Sequence, residues 1–529
     1  MNKSIKHLGL AALATLTVAG MSSCTHDFEP TNTNPNTMVV GDIDPYSLFE
    51  PLFYKTAKSM WENYTYKWND ELAQYTAFSG GTTREEHRYK IGDADWSSVW
   101  NAYSGYANDA QHMLEQAIKF KDPAARAVAT TYKVLLMSNL TDMYGDIPYR
   151  EAFKARSEGI TKPKLDSQEE VYKLMLADLD SANSLYAKNP EFKKPAMDCM
   201  YGGDMTKWRK FNNSLMLRLL CRVSGRAEMN AGSLVQKIID NPSKYPIFTS
   251  NDDNATIKYS GVAPYRSTFS TTKESDFTTN SYHISEQMVK LTVEYNEVGL
   301  QSYYDPRLDI WAVPGSEGWK GAIAGCLPED RNESNRGAAR LNFPVLARPD
   351  CQVFYMDYAE VNFILAEMAL KNEIEGGETA ARSFYESGVR ASLEKWGPLG
   401  QYSDRPCTIT AEDIDKYMNS KLANWDLNDD HAQLIGNQKW LALFWTGMEA
   451  YHEVRRTGYP VLKIGNGTEY NDYEYPQRFG YPNTTVANNR VNVDEALKRM
   501  GGENNMRTPI WWSKQAITGQ LLFKRGDQQ

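Results

Sequence analysis

The chain has 529 residues, and its 58 Lys and Arg against 67 Asp and Glu give a formal net charge of −9. An acidic chain without a basic block argues against nucleic acid as a partner. The length would suggest two to four domains and is more than enough to bury a large core.

The first 23 residues have the pattern of a secretory signal peptide, with two lysines before an apolar run over residues 8–20. That run is shorter than the roughly 20 residues of a membrane-spanning helix. Small residues then lead into Cys24 as in a bacterial lipobox, which predicts a lipidated Cys24. An ordinary cleaved signal with an incidental cysteine is the alternative. Residues 24–45 are rich in Thr, Asn and Pro and predict a flexible tether. A second apolar run of membrane-spanning length is not found in the sequence, so we expect the lipid to be the only membrane anchor.

Apolar residues at spacings of three and four predict a series of helices. They cover about 96–118, 124–143, a stretch beginning after Ser167, 206–223, 358–372, 378–396, 411–422 and 431–454. Trp208 is expected in the core and Thr410 at a helix N-cap. Helix pairs of this size resemble tetratricopeptide units, although the repeat consensus is absent. The predicted fold is mostly α, with tetratricopeptide-like helix pairs as a scaffold and long irregular loop insertions.

Residues 245–350 have a different composition. Pro, Gly, Asn, Ser and Thr are dense there, and a helical period persists only near 285–298. Long irregular segments in compact proteins are usually functional. We therefore predict a loop-rich insertion that contributes to a binding site.

The sequence offers little support for catalysis. It holds no HExxH, no CxxC, no GxSxG and no phosphate-binding loop. Glu360 and Glu367 lie seven residues apart, on one side of a predicted helix, and are interpreted as partners of Arg455 or Arg456 in buried ion pairs rather than as catalytic carboxylates. We predict no catalytic residue.

Metal binding is also not indicated. Residues 426–430 begin like a calcium loop, but His431 and Asn437 replace its Gly and Glu, which favours a capped helix N-terminus. We predict no metal site and no cofactor, with a structural calcium ion left open. Five cysteines besides Cys24 show no close pairing, and one or two disulfides are compatible with the sequence.

Ten short motifs occur together in one order. They are WNAY at 100–103, DMYGDIPY at 142–149, YGGD at 201–204, KWRKFNNSL at 207–215, DPRL at 305–308, AEVNFILAE at 359–367, QKW at 438–440, EAY at 449–451, RRTGYP at 455–460 and WW at 511–512. With the lipobox before them, they resemble the SusD-like outer-membrane lipoproteins, which capture nutrients for SusC-like TonB-dependent transporters.

This resemblance implies one domain over residues 46–529, with a ligand face made by inserted loops. It also implies a non-catalytic, surface-exposed lipoprotein of the outer membrane that delivers oligosaccharide, or in some members peptide, to its transporter. Glycan is favoured. The alternatives are a peptide-binding lipoprotein, a lipid-anchored glycan hydrolase and a structural lid without ligand affinity.

Aromatic residues in polar loops are the candidates for ligand contact, because sugars stack their flat C–H faces on exposed aromatic planes beside polar side chains. Three loops qualify. The predicted ligand-binding residues are Arg84, His87 and Tyr89 in the first loop, Tyr265 and Arg266 in the second, and Trp319 in the third. For each, a role as loop anchor or transporter contact is the alternative.

Overall fold

The computed structural model describes residues 43–78, 85–277, 282–513 and 524–525. The predictions for the signal peptide, for lipidation of Cys24 and for most of the tether lie outside the described residues. Among the residues that are described, no helix is both long enough and apolar enough to cross a membrane.

Helices dominate the fold. The main ones are α1 (Tyr46–Thr56), α2 (Asp93–Lys119), α3 (Pro123–Tyr144), α4 (Gln168–Tyr186), α5 (Met205–Arg222), α6 (Ala231–Ile239), α7 (Glu286–Thr292), α8 (Tyr358–Leu370), α9 (Gly377–Trp396), α10 (Ala411–Met418), α11 (His431–Ala442), α12 (Glu449–Thr457), α13 (Asn483–Asn488) and α14 (Arg490–Met500). Short α-helical turns cover Asp70–Leu72, Ala155–Glu158, Glu274–Phe277, Leu308–Trp311, Arg331–Asn335 and Phe343–Leu346, and π-helical turns cover Ala57–Glu62 and Thr65–Asn69. The mostly α fold predicted from the sequence is confirmed.

Side-chain caps set several helix starts. The Ser167 hydroxyl accepts a hydrogen bond from the Glu170 N–H at 3.3 Å, and Thr410 forms a reciprocal capping box with Asp413. Asp430 caps α11 by accepting from the Gln433 N–H at 2.9 Å. The segment that begins like a calcium loop is therefore a capped helix start, as predicted.

The helix predicted over 431–454 is wrong as a single element, because α11 and α12 are separate. Between them Trp445 and Gly447 have φ of 64° and 58°, in the left-handed region. A Cβ on Gly447 would lie 2.7 Å from Nε1 of Trp61, so only glycine fits this turn. The sequence pattern missed the break because the residues around it are apolar and buried.

Consecutive helices pack against each other as the scaffold. α2 packs on α3, α3 on α4, and α4 on α5, while α8 packs on α9, α11 and α5. The short connections between α2 and α3 and between α8 and α9 make the helices of each of these two pairs antiparallel. Trp208 of α5 is fully buried, and its Nε1–H donates to Oδ2 of Asp198 at 2.7 Å. Its predicted place in the core is confirmed.

Buried ion pairs join these helices. Nη1 of Arg456 donates to Oε1 of Glu367 at 2.6 Å, as predicted for that carboxylate. The prediction for Glu360 is wrong in its partner, because Nε of Arg218 on α5 donates to it at 2.6 Å. The packing of α5 against α8 brings these two residues together, although they are 142 positions apart in the sequence.

The insertion over 245–350 contains more regular structure than predicted. The described strands are β1 (Thr76–Phe78), β2 (Ala255–Lys258), β3 (Tyr282–Ile284), β4 (Val293–Tyr295), β5 (Gln301–Tyr304), β6 (Ala312–Val313), β7 (Arg340–Leu341), β8 (Gln352–Met356), β9 (Lys463–Ile464) and β10 (Lys524–Arg525). An antiparallel sheet has the order β1-β3-β7-β6, and separate pairs form between β2 and β8, β4 and β5, and β9 and β10. These strands are too short to show a clear alternating pattern in sequence.

The register of the sheet joins distant parts of the chain. Thr76 pairs with Ile284, and His283 pairs with Arg340. The insertion is thereby fixed to the segment that follows α1. The five described cysteines are free thiols, so none of them is in a disulfide here.

Candidate functional site

A groove of about 890 Å³ opens between the insertion and the segment around β9. It is lined by Gln74, Ser285, Glu286, Gln287, Lys290, Lys320, Gly321, Ile323, Ala324, Cys326, Leu327, Asp330, Glu333, Ser334, Lys463, Ile464, Gly465, Asn466 and Tyr473. Most of the lining side chains are polar or charged, and the apolar part is supplied by Ile323, Ala324, Leu327 and Ile464. Such a lining offers many hydrogen-bond partners to a ligand rich in polar groups.

The first predicted loop supports one wall of the groove from below. His87 is buried, and its Nδ1 accepts a hydrogen bond from the Gly325 N–H at 2.9 Å. Burial, together with the positive charges of Arg88 and Arg331, lowers the pKa of His87 to about 3. The ring is therefore neutral at ordinary pH and can act as the acceptor that holds the backbone at Gly325 in place.

The neighbouring Arg88 holds the opposite wall. Its Nε–H donates to the carbonyl oxygen of Gly467 at 2.8 Å, and its guanidinium also pairs with Glu85 and Glu469. His87 and Arg88 thus help to position the backbone on the two sides of the groove through these hydrogen bonds. The prediction assigned a ligand-binding role to His87 and did not include Arg88.

The two sides of the groove are joined backbone to backbone at Gly325 and Gly467, each of which is next to a lining residue. The Gly467 N–H donates to the carbonyl oxygen of Gly325 at 2.8 Å. A Cβ on Gly465 would lie 2.2 Å from the same oxygen, so a side chain there would force the walls apart. The paired glycines at 465 and 467 are consequently part of what shapes the cavity.

Two exposed tyrosines lie on the β9 side. Tyr473 lines the groove with 39% of its surface exposed, and Tyr470 is 47% exposed. The Tyr470 ring lies 4.9 Å from Nζ of Lys90 and 5.1 Å from Cζ of Arg88, distances typical of cation–π contacts. The exposed Tyr473 ring offers the kind of aromatic plane on which a sugar stacks, whereas the Tyr470 ring already contacts two cations.

Sequence reasoning missed this fourth loop. The signal was present, because the polar stretch over 463–475 contains three tyrosines and two closely spaced glycines. The same rule that selected the other loops would have selected this one.

Charge in the groove is balanced. Three lysines and three acidic residues line it: Lys290, Lys320, Lys463, Glu286, Asp330 and Glu333. Lys320 is further neutralised by Glu317, whose carboxylate lies 3.2 Å from its Nζ. A site without a dominant sign of charge gives no electrostatic preference for a polyanion or a polycation and suits a neutral ligand rich in hydroxyl groups.

Two of the predicted aromatics are not exposed as expected. Trp319 is only 6% exposed and packs against Tyr304, with ring centroids 5.6 Å apart. Tyr89 is 1% exposed and packs edge to face against Tyr475. Each ring finds apolar neighbours after the chain folds, which a loop composition cannot reveal. Arg84 lies outside the described residues.

Tyr265 and Arg266 form a different surface and do not line the groove. The Tyr265 ring packs on Tyr54 of α1 with centroids 4.3 Å apart. Buried Glu62 anchors this loop by accepting from the Ser267 hydroxyl at 2.6 Å and the Thr268 N–H at 2.8 Å.

None of the five described residues that were predicted to bind ligand lines the groove. The first loop contacts its backbone through His87, the third loop lines it with Lys320 and Gly321 next to Trp319, and the second loop lies elsewhere.

No group of three or more His, Cys, Asp or Glu side chains in the described part of the chain could hold a metal ion. The paired carboxylates singled out from the sequence, Glu360 and Glu367, both accept from buried guanidinium groups. Their geometry is that of structural ion pairs.

Comparisons with solved structures agree with the fold. A chitin-binding protein is 26% identical with a TM-score of 0.73, and the match covers 89% of this chain and 100% of that chain. A SusD homologue from Bacteroides fragilis is 22% identical with a TM-score of 0.73 and the same coverage. Another from Parabacteroides distasonis is 21% identical with a TM-score of 0.74, covering 88% of this chain and 98% of that chain.

No curated protein sequence matches the chain. The profile of a SusD-like family described as "Starch-binding associating with outer membrane" matches residues 35–482, which is most of the sequence. The match spans the helical scaffold, the insertion and the β9 side of the groove. The chain therefore belongs to the SusD-like family.

Proposed function

We propose that this protein is a cell-surface lipoprotein that captures a neutral oligosaccharide in the groove and delivers it to a SusC-like TonB-dependent transporter of the outer membrane. The observation that carries the proposal is the groove itself, with balanced charge on its lining and the exposed Tyr473 at its β9 side. Membership of a starch-binding family and structural similarity to a chitin-binding protein support a glycan as the ligand.

The proposal assigns no chemistry to the groove. Binding alone requires stacking surfaces and hydrogen-bond partners for hydroxyl groups, and the side chains around the groove supply both types. The protein acts without a cofactor in this proposal, and Cys24 carries the lipid that holds it at the outer membrane.

A binding screen of the purified protein tests the proposal. The panel contains starch-derived oligosaccharides, chitin oligosaccharides, other neutral glycans and a mixed peptide library, and the solutions are analysed for released products. Retention of one neutral glycan class without products is the expected result. Preferential retention of peptides would show that the ligand is a peptide and not a glycan. Release of hydrolysis products would show that the protein is a hydrolase.

Transporter association needs a separate measurement. Affinity isolation of the tagged lipoprotein from solubilised outer membranes is expected to recover a TonB-dependent transporter. If the protein binds glycan but recovers no transporter, the proposed capture of glycan would stand and the proposed delivery to a transporter would be contradicted.

A further inference from the structure

One polar side chain in the lining of the groove is buried and has no partner. Gln287 of α7 is only 7% exposed, and it lines the groove. Within the described part of the chain its amide makes no hydrogen bond, and neither polar atom is sealed away from solvent. The small exposed part of Gln287 therefore includes the amide, which faces the groove. A largely buried amide without a partner is a natural hydrogen-bonding site for a ligand.

α7 places a cation on the same side as this amide. Gln287 and Lys290 are three residues apart, which puts them on one face of the helix, and both line the groove. Lys290 is exposed, and its ammonium group has no ion pair or hydrogen bond among the described residues. α7 thus offers a ligand one amide oxygen as acceptor, together with donors from both side chains.

An exposed apolar side chain lies in the segment next to α7. The Glu286 N–H donates to the carbonyl oxygen of Ala322 at 2.9 Å, so this segment runs alongside the start of α7. Ile323 follows directly and lines the groove with 41% of its surface exposed. Its N–H donates to the Ser334 hydroxyl at 2.7 Å, which holds the segment in place. Covering Ile323 with an apolar group of a ligand would remove apolar area from water.

The apolar surface continues toward the β9 side of the groove. Ala324 and Ile464 also line the groove, and the backbone hydrogen bond between Gly467 and Gly325 joins their two segments. The lining consequently has an amide and an ammonium group on the α7 side, with apolar side chains in the segments next to them.

An acetamido group matches this set of side chains. It carries one N–H donor, one carbonyl acceptor and one methyl group within a few bonds of each other. The N–H can donate to Oε1 of Gln287 while the carbonyl oxygen accepts from Nζ of Lys290, and the methyl group can cover Ile323. A hydroxyl group in the same place would bond to the amide and leave the isoleucine in water.

We propose that the groove recognises an N-acetylated amino sugar, and that Gln287 distinguishes the acetamido group from a hydroxyl group. The inference rests on the proposed function, because it specifies the class of neutral oligosaccharide that the groove captures. An acetamido group is uncharged, in agreement with the balanced charge of the lining.

Three oligosaccharides of equal length and linkage test this inference on the full lipoprotein in detergent. Chitin oligosaccharides carry the acetamido group, cellulose oligosaccharides carry a hydroxyl group at that carbon, and chitosan oligosaccharides carry an ammonium group. Isothermal titration should show about tenfold tighter binding of the chitin than of the cellulose oligosaccharide, the worth of one hydrogen bond and one covered methyl group. Equal or tighter binding of the cellulose oligosaccharide would overturn the inference.

A matched set of variants tests whether Gln287 causes the preference. Gln287→Leu is similar in size and cannot form hydrogen bonds, so it should lose most of the preference for the acetamido group. Gln287→Glu introduces a carboxylate and should shift the preference toward the chitosan oligosaccharide. Gln401→Leu is the control, because Gln401 is exposed and does not line the groove. A preference that survives both changes at Gln287 would contradict the role of this residue.

Melting temperatures report whether the variants fold. Ile323→Ala changes an exposed side chain and gives a second measurement if the Gln287 variants are unstable. It should weaken binding of the chitin oligosaccharide and leave binding of the cellulose oligosaccharide unchanged, and equal effects on both would contradict the proposed methyl contact.

A starch-derived oligosaccharide separates this inference from the proposed function. Binding of starch without binding of chitin would overturn the recognition of an acetamido group, while capture of a neutral glycan would stand. Binding of none of these glycans would contradict both.

Discussion

The imidazole of His87 accepts a hydrogen bond from the backbone N–H of Gly325, 238 residues later in the chain, at 2.9 Å. This contact fixes a wall of the groove to the segment that precedes α2. Because the ring is buried and neutral in the fold, lowering the pH should destabilise the folded protein at His87.

The first prediction concerns the pH dependence of stability. The pKa of His87 is lowered to about 3 in the fold from 6.5, so between these values the unfolded chain binds a proton that the folded one does not. Stability should therefore fall as the pH drops through this window, by about 1.4 kcal/mol per unit, and be independent of His87 above it. Urea unfolding of the wild type and His87→Leu between pH 4 and 8 measures the difference in slope.

The His87→Leu variant should show a shallower slope and weaker ligand retention, because the Gly325 N–H loses its acceptor. Some slope should remain, since burial also lowers the pKa of His452. Identical slopes in the two proteins would contradict a neutral buried His87. His87→Gln keeps an acceptor and serves as the conservative control.

The second prediction concerns the exposed tyrosine of the groove. Tyr473→Ala should weaken glycan binding by up to about tenfold, the worth of one stacking contact, without changing the melting temperature. Tyr402→Ala is the matched control, because Tyr402 is also 39% exposed and does not line the groove. Isothermal titration with the retained glycan is the measurement. Equal losses of affinity in both variants would remove Tyr473 from the site.

The third prediction concerns the core. Trp208→Ala should reduce the free energy of unfolding by roughly 3–5 kcal/mol, because the ring is fully buried and its N–H satisfies Asp198. Chemical denaturation monitored by circular dichroism gives the value. A change below about 1 kcal/mol would be inconsistent with the packing of α5.

The fourth prediction concerns the buried ion pair between α8 and α12. Burial alone raises the pKa of Glu367, but Arg456 and Lys371 outweigh it, and the net shift is downward. Arg456→Met should therefore destabilise the protein by about 3–5 kcal/mol at neutral pH, since it leaves a buried carboxylate with less compensation.

Acidification should reduce that difference. Because the folded pKa of Glu367 is lowered, its stabilising contribution is present above the unfolded pKa and disappears as the pH falls through the folded one. Adding Glu367→Gln to Arg456→Met should restore part of the lost stability at pH 7. A double variant as unstable as the sum of both single variants would show that the two residues do not act as a pair.

The fifth prediction concerns the anchor. Cys24→Ala should remove the acyl chain and shift the protein out of the lipoprotein fraction, as measured by intact mass and detergent partitioning. Cys199→Ala is the control, because Cys199 is a free thiol within the described fold. An unchanged mass and distribution in Cys24→Ala would contradict lipidation at this position.

Local signals account for the parts of the fold that could be predicted. Helix starts at Gln168 and Ala411 follow from Ser167 and Thr410, since a cap acts on amides two or three residues away. The pairing of Glu367 with Arg456 could be predicted because both residues belong to motifs of the SusD-like family. The groove was only partly predicted: polar loops at 87 and 319 pointed to it, but the loop with Tyr470 and Tyr473 was missed.

Other features depend on contacts that no local pattern contains. The partner of Glu360 is set by the packing of α5 on α8, and the burial of Trp319 is set by Tyr304. Glycine is required at 447 because Trp61, almost 400 residues earlier in the sequence, lies against it. Composition describes a loop as exposed, whereas packing decides which of its aromatic rings remain in water.

By itself, the sequence determined the helical scaffold, the family and the predicted lipid anchor, because periodicity, capping and each short motif can be read from a few neighbouring residues. Only the tertiary structure decided where the groove lies and that Tyr473 faces it. Those features arise where segments hundreds of residues apart meet, as His87 and Gly325 do, and such a meeting is set by the packing of the whole chain.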